Sequence, residues 1–245
     1  MRPLAGLAIL LLAACDQPAT PTRPGDPGPD ARLDQEVESA DALADETEPS
    51  RPFADAQLFF ELNSTDNDLG LQLFLDDEGW RRVRVLDPRS DELLEIAAGG
   101  RLARLGITEL RFESEEPSPE EVLVLFPPGT YRFRGRTVEG ELLASRATLS
   151  HELPAAPTFT PHDGAMVDAG AAVVEWSAPG AEKVEIIVES DALEDVLDVT
   201  LAAAKRRLRV PRQFLTPGEE YKLEVIAIAE SGNRTLAEST FLVRE

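Results

Sequence analysis

Beyond residue 53 the chain alternates apolar and polar positions with a period of two. Leu69, Leu71, Leu73 and Leu75 alternate around Gly70, Gln72 and Phe74, and Val83 and Val85 alternate with Arg82 and Arg84. Tyr131 and Phe133 alternate with Arg132 and Arg134, after a turn signal at Pro127-Pro128-Gly129. Successive strand side chains point to opposite faces, so this pattern predicts sheets with one buried and one wet face. Short strands bounded by turns, with no alternation of helix and strand, predict a β-sandwich over 54–153. From 154 to 245 the same reading holds: Ala172-Val173-Val174-Glu175-Trp176 precedes a turn at Ala178-Pro179-Gly180, and Tyr221, Leu223, Val225 and Ala227 repeat every second residue. The expected fold class is all-β, two β-sandwich domains. One stretch breaks the pattern, because Ala192–Arg207 has a helix-favouring composition.

Before the strands the pattern vanishes. Between Asp16 and Pro52 stand seven prolines, ten acidic and three basic residues, without Phe, Trp, Tyr or Ile. Such a segment cannot bury enough apolar surface to offset its ordering entropy, and the expectation is a disordered acidic, Pro-rich tether over 15–53. As a coil it would span on the order of 35 Å.

Arg2 and the apolar run Leu4–Leu12 have the shape of a secretory signal, too short to cross a bilayer. Leu12-Ala13-Ala14-Cys15 then resembles the lipobox of bacterial lipoproteins. The resemblance implies removal of residues 1–14, diacylglycerol on the Cys15 thiol and a further acyl chain such as palmitate on its amine. Several acyl chains give stable anchoring where one would be marginal. The expected location is the bacterial cell envelope, lipid-anchored and facing the periplasm or the exterior. Asp16 resembles an inner-membrane retention signal of some bacteria, a rule that varies between lineages.

In the last block, Trp176 and the run Leu215-Thr216-Pro217-Gly218-Glu219-Glu220-Tyr221 resemble a fibronectin type III domain. The resemblance implies a core tryptophan at Trp176 and a corner built from Leu215, Pro217 and Tyr221, whose hydroxyl bonds back to nearby backbone. It also places Gly232 between the last two strands and Phe241 and Val243 on the final one. The end of the first block is similar to a segment of uncharacterised bacterial proteins, which implies no activity.

The chain has 245 residues, with 24 basic and 46 acidic side chains and a net charge of −22. That excess excludes nucleic acid as a partner, through phosphate repulsion. One cysteine excludes an internal disulfide and a thiolate metal cluster. No G-x-S-x-G elbow, phosphate-binding loop or H-E-x-x-H stands in the chain. His151 and His162 flank the linker between blocks and read as surface or joint residues. The expected protein is therefore not an enzyme.

Candidate binding chemistry is sparse. Calcium is the one candidate cofactor: Asp66 and Asp68 offer hard oxygen ligands, with Asp76-Asp77-Glu78-Gly79 read as a second loop one strand later. Glu113–Glu116 with Glu120 and Glu121 reads as a solvated loop. Arg82, Arg84, Arg132, Arg134 and Arg136 on wet faces read as cross-strand partners for glutamates, with an anion-binding face as the alternative. Ile187, Ile226 and Ile228, joined by Leu242, fall on the outward register and form a candidate apolar patch for a partner or for the first domain. Sequons at Asn63 and Asn233 are discounted behind a bacterial lipobox. The functional expectation is a membrane-anchored binding or scaffolding lipoprotein with an envelope protein as partner. A calcium-stabilised adhesion module and an accessory carbohydrate-binding subunit are the alternatives.

Overall fold

A computed structural model describes residues 49–190, 192–193 and 195–244. The signal, Cys15 with its lipobox, and the tether up to residue 48 lie outside the described residues. The fold is all-β. Among the described residues strands dominate, and helix is confined to α1 (Leu102–Leu105), α2 (Pro119–Leu125) and one 3₁₀ turn at Arg212–Phe214.

The first sandwich is organised by β2 (Asp68–Leu86), a strand of 19 residues. Its first half lies between β1 (Asp55–Asn63) and β4 (Ile107–Glu113), and its second half between β3 (Glu92–Ala97) and β5 (Gly129–Thr137). Strand β6 (Leu142–Leu149) completes the second sheet on β5. Leu69, Leu71, Leu73 and Leu75 fill the core from one half, and Val83 and Val85 from the other. Between them the register shifts and turns Trp80 fully inward. The expected loop at Asp76–Gly79 is thus corrected to continuous strand. Gly79 makes the bend possible, because a Cβ there would stand 3.0 Å from the Leu105 carbonyl oxygen.

Buried chemistry holds that bend. Asp77 accepts two hydrogen bonds from the Arg51 guanidinium at 2.8 Å and one from the Ala54 N–H at 3.0 Å. Arg51 also bridges to β6 through backbone bonds to Leu142 and Ala144. Phe53 is buried, and its ring lies over Gly135, where a Cβ would come within 2.7 Å of it. Residues 51–53, expected in the tether, therefore belong to the packed unit. The expected acidic loop is also corrected: Glu113 ends β4, and Glu120 and Glu121 form the first turn of α2, where Glu121 reaches back to the Ser118 N–H at 3.3 Å.

In the second sandwich β7 (Thr158–Thr160), β9 (Val173–Ser177) and β12 (Arg207–Arg209) form one sheet. The facing sheet runs β11 (Asp195–Ala202), β10 (Lys183–Ser190), β13 (Glu220–Ile228), β14 (Arg234–Val243), with β8 (Ala165–Val167) parallel to the end of β14. Trp176, Ile186, Tyr221, Leu223, Val225 and Phe241 pack between them, and the Tyr221 and Phe241 rings stack at 5.6 Å. The Tyr221 hydroxyl donates to the Phe214 carbonyl at 2.9 Å and accepts the Thr216 N–H at 3.0 Å. This is the corner implied by the fibronectin type III resemblance. Leu215 is buried, but Pro217 is exposed and not a core residue. It precedes Gly218, whose φ of 84° only glycine adopts freely, so its part is to shape the turn.

Within the helix-favouring stretch 192–207, residues 195–202 form strand β11. Leu197 and Leu201 pack against the core, and β11 pairs with β10 from Lys183↔Ala202 to Ser190↔Asp195. Burial of alternate residues and a full ladder of backbone bonds outweigh a weak helix propensity.

Candidate functional site

The two sandwiches meet edge to edge. Strands β1 and β14 pair in parallel over Glu61↔Arg234, Leu62↔Thr235 and Asn63↔Leu236, which joins both domains in one sheet of order β11-β10-β13-β14-β1-β2-β5-β6. A buried amide secures the joint: Asn233 Oδ1 accepts the Phe60 N–H, while its Nδ2 donates to the carbonyls of Ser150 at 2.8 Å and Glu152 at 2.9 Å. Nearby, the Thr235 hydroxyl donates to the Pro154 carbonyl at 2.7 Å, and Glu238 N–H donates to the Thr65 hydroxyl at 3.0 Å. His151 lies at this joint, with Nε2 2.8 Å from the Phe126 carbonyl oxygen and its ring 6.0 Å from Phe60. His162 is exposed in the turn before β8.

Where the sheet crosses from one domain to the other, its outer face carries a groove of about 540 Å³. Phe59 and Phe74 stand on it, each capped by a guanidinium: Arg234 lies 4.5 Å from the Phe59 ring centre, and Arg111 lies 4.5 Å from that of Phe74. Arg234 also reaches Glu61 at 3.6 Å and Glu185 at 3.5 Å, charges from both domains. Burial pushes the Glu61 carboxyl up, and Arg234 draws it only partly back; Glu185 behaves alike. Gln72 donates to Glu113 at 2.9 Å across the groove. The lining combines three phenylalanines, Phe59, Phe74 and Phe112, with paired carboxylates, guanidiniums and amides, and holds neither histidine nor cysteine. Such a wall can bind and orient a polar chain. The signal in the sequence was two phenylalanines, Phe59 and Phe74, at positions that period two assigns to the wet face.

The other sequence candidates fall elsewhere. Asp66 lies in the β1–β2 hairpin, where Asn63 donates to its carboxylate at 3.3 Å and accepts the N–H groups of Thr65 and Asp66. Asn67 there has a φ of 59°, and Asp68 begins β2. This is Asx-turn chemistry. Among the described residues no three His, Cys, Asp or Glu side chains are gathered as a metal requires.

The apolar patch is corrected. Ile226 is buried, with Glu185 and Leu236 as its cross-strand neighbours, and Ile187 lies between Asp198 and Glu224. Ile228 is flanked by Lys183 and Arg234, and Leu242 by Glu220 and Met166. Charged neighbours interrupt the isoleucines, so no continuous apolar face forms, and the two domains meet through strand edges instead. Arg82 pairs with Glu95 at 2.6 Å and Arg84 with Glu92 at 2.7 Å, as cross-strand partners. The sequon at Asn233 is buried in the joint, with its amide engaged. Trp80 is fully buried and Trp176 nearly so, which leaves no tryptophan for a carbohydrate platform.

No protein-family model matches the chain, and no curated protein matches it. Among solved structures it is similar to a two-domain fibronectin type III segment of chicken tenascin, at 12% identity and a TM-score of 0.29, over 76% of this chain and 96% of that one. It is also similar to the FN1–FN3 domains of chicken CNTN1, at 11% identity and a TM-score of 0.32, over 80% and 65% of the two chains. A tetra-tandem repeat from the extending region of a large adhesion protein matches at 14% identity and a TM-score of 0.26, over 76% and 50%.

Proposed function

We propose that this chain is a lipid-anchored, extracytoplasmic binding module of a bacterial envelope, without chemistry of its own, and that it holds an extended peptide segment of an envelope protein in the groove over the domain joint. The observation that carries the reading is the Asn233-centred junction. It fuses two sandwiches into one sheet and fixes the groove walls before any ligand arrives, so that little ordering entropy is spent on binding. The groove offers alternating hydrogen-bonding groups beside aromatic faces, which suits a polypeptide. Anchoring rests on the Leu12–Cys15 motif, and the acidic segment after it serves as the spacer.

A photo-crosslinking residue at Gln57 or Gln72, both in the groove lining, tests the reading in the producing bacterium. The expected result is a discrete protein adduct at these positions, absent from a control at Thr200 and lost in Arg111→Ala. No adduct at either groove position would overturn it. Mass spectrometry of the purified protein, beside Cys15→Ser, tests the anchor: an unmodified Cys15 in a chain that keeps its signal would remove that part.

A further inference from the structure

On the outer face of the joined sheet, two carboxylates share each of the central cations. Arg234 Nη1 lies 3.6 Å from Glu61 and 3.5 Å from Glu185, both longer than an ordinary N–H···O bond. Lys222 Nζ is divided in the same way, 2.6 Å from Glu224 and 2.7 Å from Glu238, which stand opposite each other on β13 and β14. One register row beyond Gln57 and Phe74, Asp55, Asp76 and Glu109 stand side by side across β1, β2 and β4. Within the groove Glu113 takes a bond at 2.9 Å from the neutral Gln72 amide. Like charges placed side by side weaken a sheet unless something offsets them. Glu61 carries the imbalance most plainly. Burial raises its carboxyl, Glu113, Glu224 and Glu185 raise it further, and Arg234 does not cancel them. A second cation entering the groove would.

The walls also favour positive groups. Both phenyl faces named above take a guanidinium, Arg234 over Phe59 and Arg111 over Phe74, each at 4.5 Å from the ring centre. Arg111 is tied to Glu109 at 2.9 Å with its side chain 74% exposed, which leaves further N–H groups for the carbonyls of an extended backbone. Complementary charge steers such a partner to the face and rejects acidic ones.

We infer that the occupant of the groove is a basic polypeptide segment, its lysine or arginine side chains taken by Glu61 and Glu113 while Arg111 holds its backbone. The inference rests on the reading of the groove as a peptide site and adds the sign of the peptide's charge.

The test uses the full chain in a neutral detergent and three fluorescent twelve-residue peptides, in which threonine alternates with lysine, glutamine or glutamate. By anisotropy the lysine peptide should bind about ten-fold more tightly than the glutamine peptide, and the glutamate peptide more weakly than either. Glu61→Gln with Glu113→Gln should erase the lysine preference. The glutamine peptide should bind this variant and the parent alike, which shows that the variant is folded. Glu139→Gln with Glu175→Gln removes the same charge from exposed positions elsewhere and should keep the preference. A photo-crosslinking residue at Gln72 should capture the lysine peptide, and one at Thr200 should not. Equal binding of the three peptides with capture at Gln72 overturns the inference and leaves the peptide groove standing. A lysine preference that survives Glu61→Gln with Glu113→Gln, or that falls equally in the control variant, belongs to the net charge of the chain and overturns it too. No capture of the lysine peptide at Gln72 overturns the inference, and the adducts formed in the bacterium then decide the groove reading separately.

Discussion

Asn233 accepts the Phe60 N–H at 3.0 Å, a side chain from the last turn of one sandwich terminating a backbone donor in the other. The same amide donates to two carbonyls of the linker, so one residue bonds three backbone groups, one buried and two half-buried. Asn233→Ala leaves all three without a partner and is expected to cost roughly 3 kcal/mol. Trp80 and Trp176 report one core each, so unfolding in urea can be followed in single-tryptophan variants. The parent should unfold in one transition by both probes, and Asn233→Ala in two separated ones. Coincident transitions in the variant would show that the joint does not couple the domains.

Burial alone would raise the Asp77 carboxyl, but hydrogen bonds from Arg51 and from the Ala54 N–H outweigh it and hold the group below its ordinary value. A carboxylate with a lowered folded pKa stabilises the fold above the unfolded value of about 4, and that contribution is lost as the pH falls through the folded value. Arg51→Met should therefore cost about 1.5–3 kcal/mol at pH 7, with the deficit shrinking below pH 4. Urea titrations at pH 7, 5 and 3 check this. A deficit independent of pH would mean that the loss comes from Arg51 packing or its backbone bridge.

Gly135 leaves room for Phe53. A Cβ at 135 would stand 2.7 Å from the ring and 3.2 Å from the Arg82 carbonyl oxygen. Gly135→Ala should lower stability by about 1–3 kcal/mol through overpacking. Phe53→Ala should cost about 3–5 kcal/mol through the cavity left behind. Combined, the two should cost less than their sum, since the added methyl enters the emptied space. Strict additivity in a thermal-melt cycle would show that the two sites do not share volume.

Glu61 has the opposite sign to Asp77. Burial raises its carboxyl, so its charge lowers stability at high pH, and stability recovers as the pH falls through the folded value. Glu61→Gln should be more stable than the parent at pH 8, with the difference vanishing below pH 4. Arg234→Met removes the cation shared by Glu61 and Glu185 and the cap on Phe59, and should cost about 1 kcal/mol at pH 8 and less at pH 5. Melting temperatures across that range measure both.

Period-two alternation by itself determined the all-β class, the inward leucines of β2, and the core of the last block. These readings depend on burial of alternate side chains, a local property of the strand. The corner around Tyr221 was legible for the same reason, since donor and acceptors lie within seven residues of one another. Only the tertiary structure decided what depends on partners far apart in the chain. Asp77 looked like a loop carboxylate until Arg51 was brought 2.8 Å from it. Ala192–Arg207 looked helical until β10 supplied a ladder for β11. Ile226 looked exposed until Glu185 and Leu236 flanked it. The groove belongs to this second kind: Phe59 meets Arg234 only because strands distant in sequence pair in one register. Alternation settles which face of a strand is wet, and strand pairing settles what shares that face.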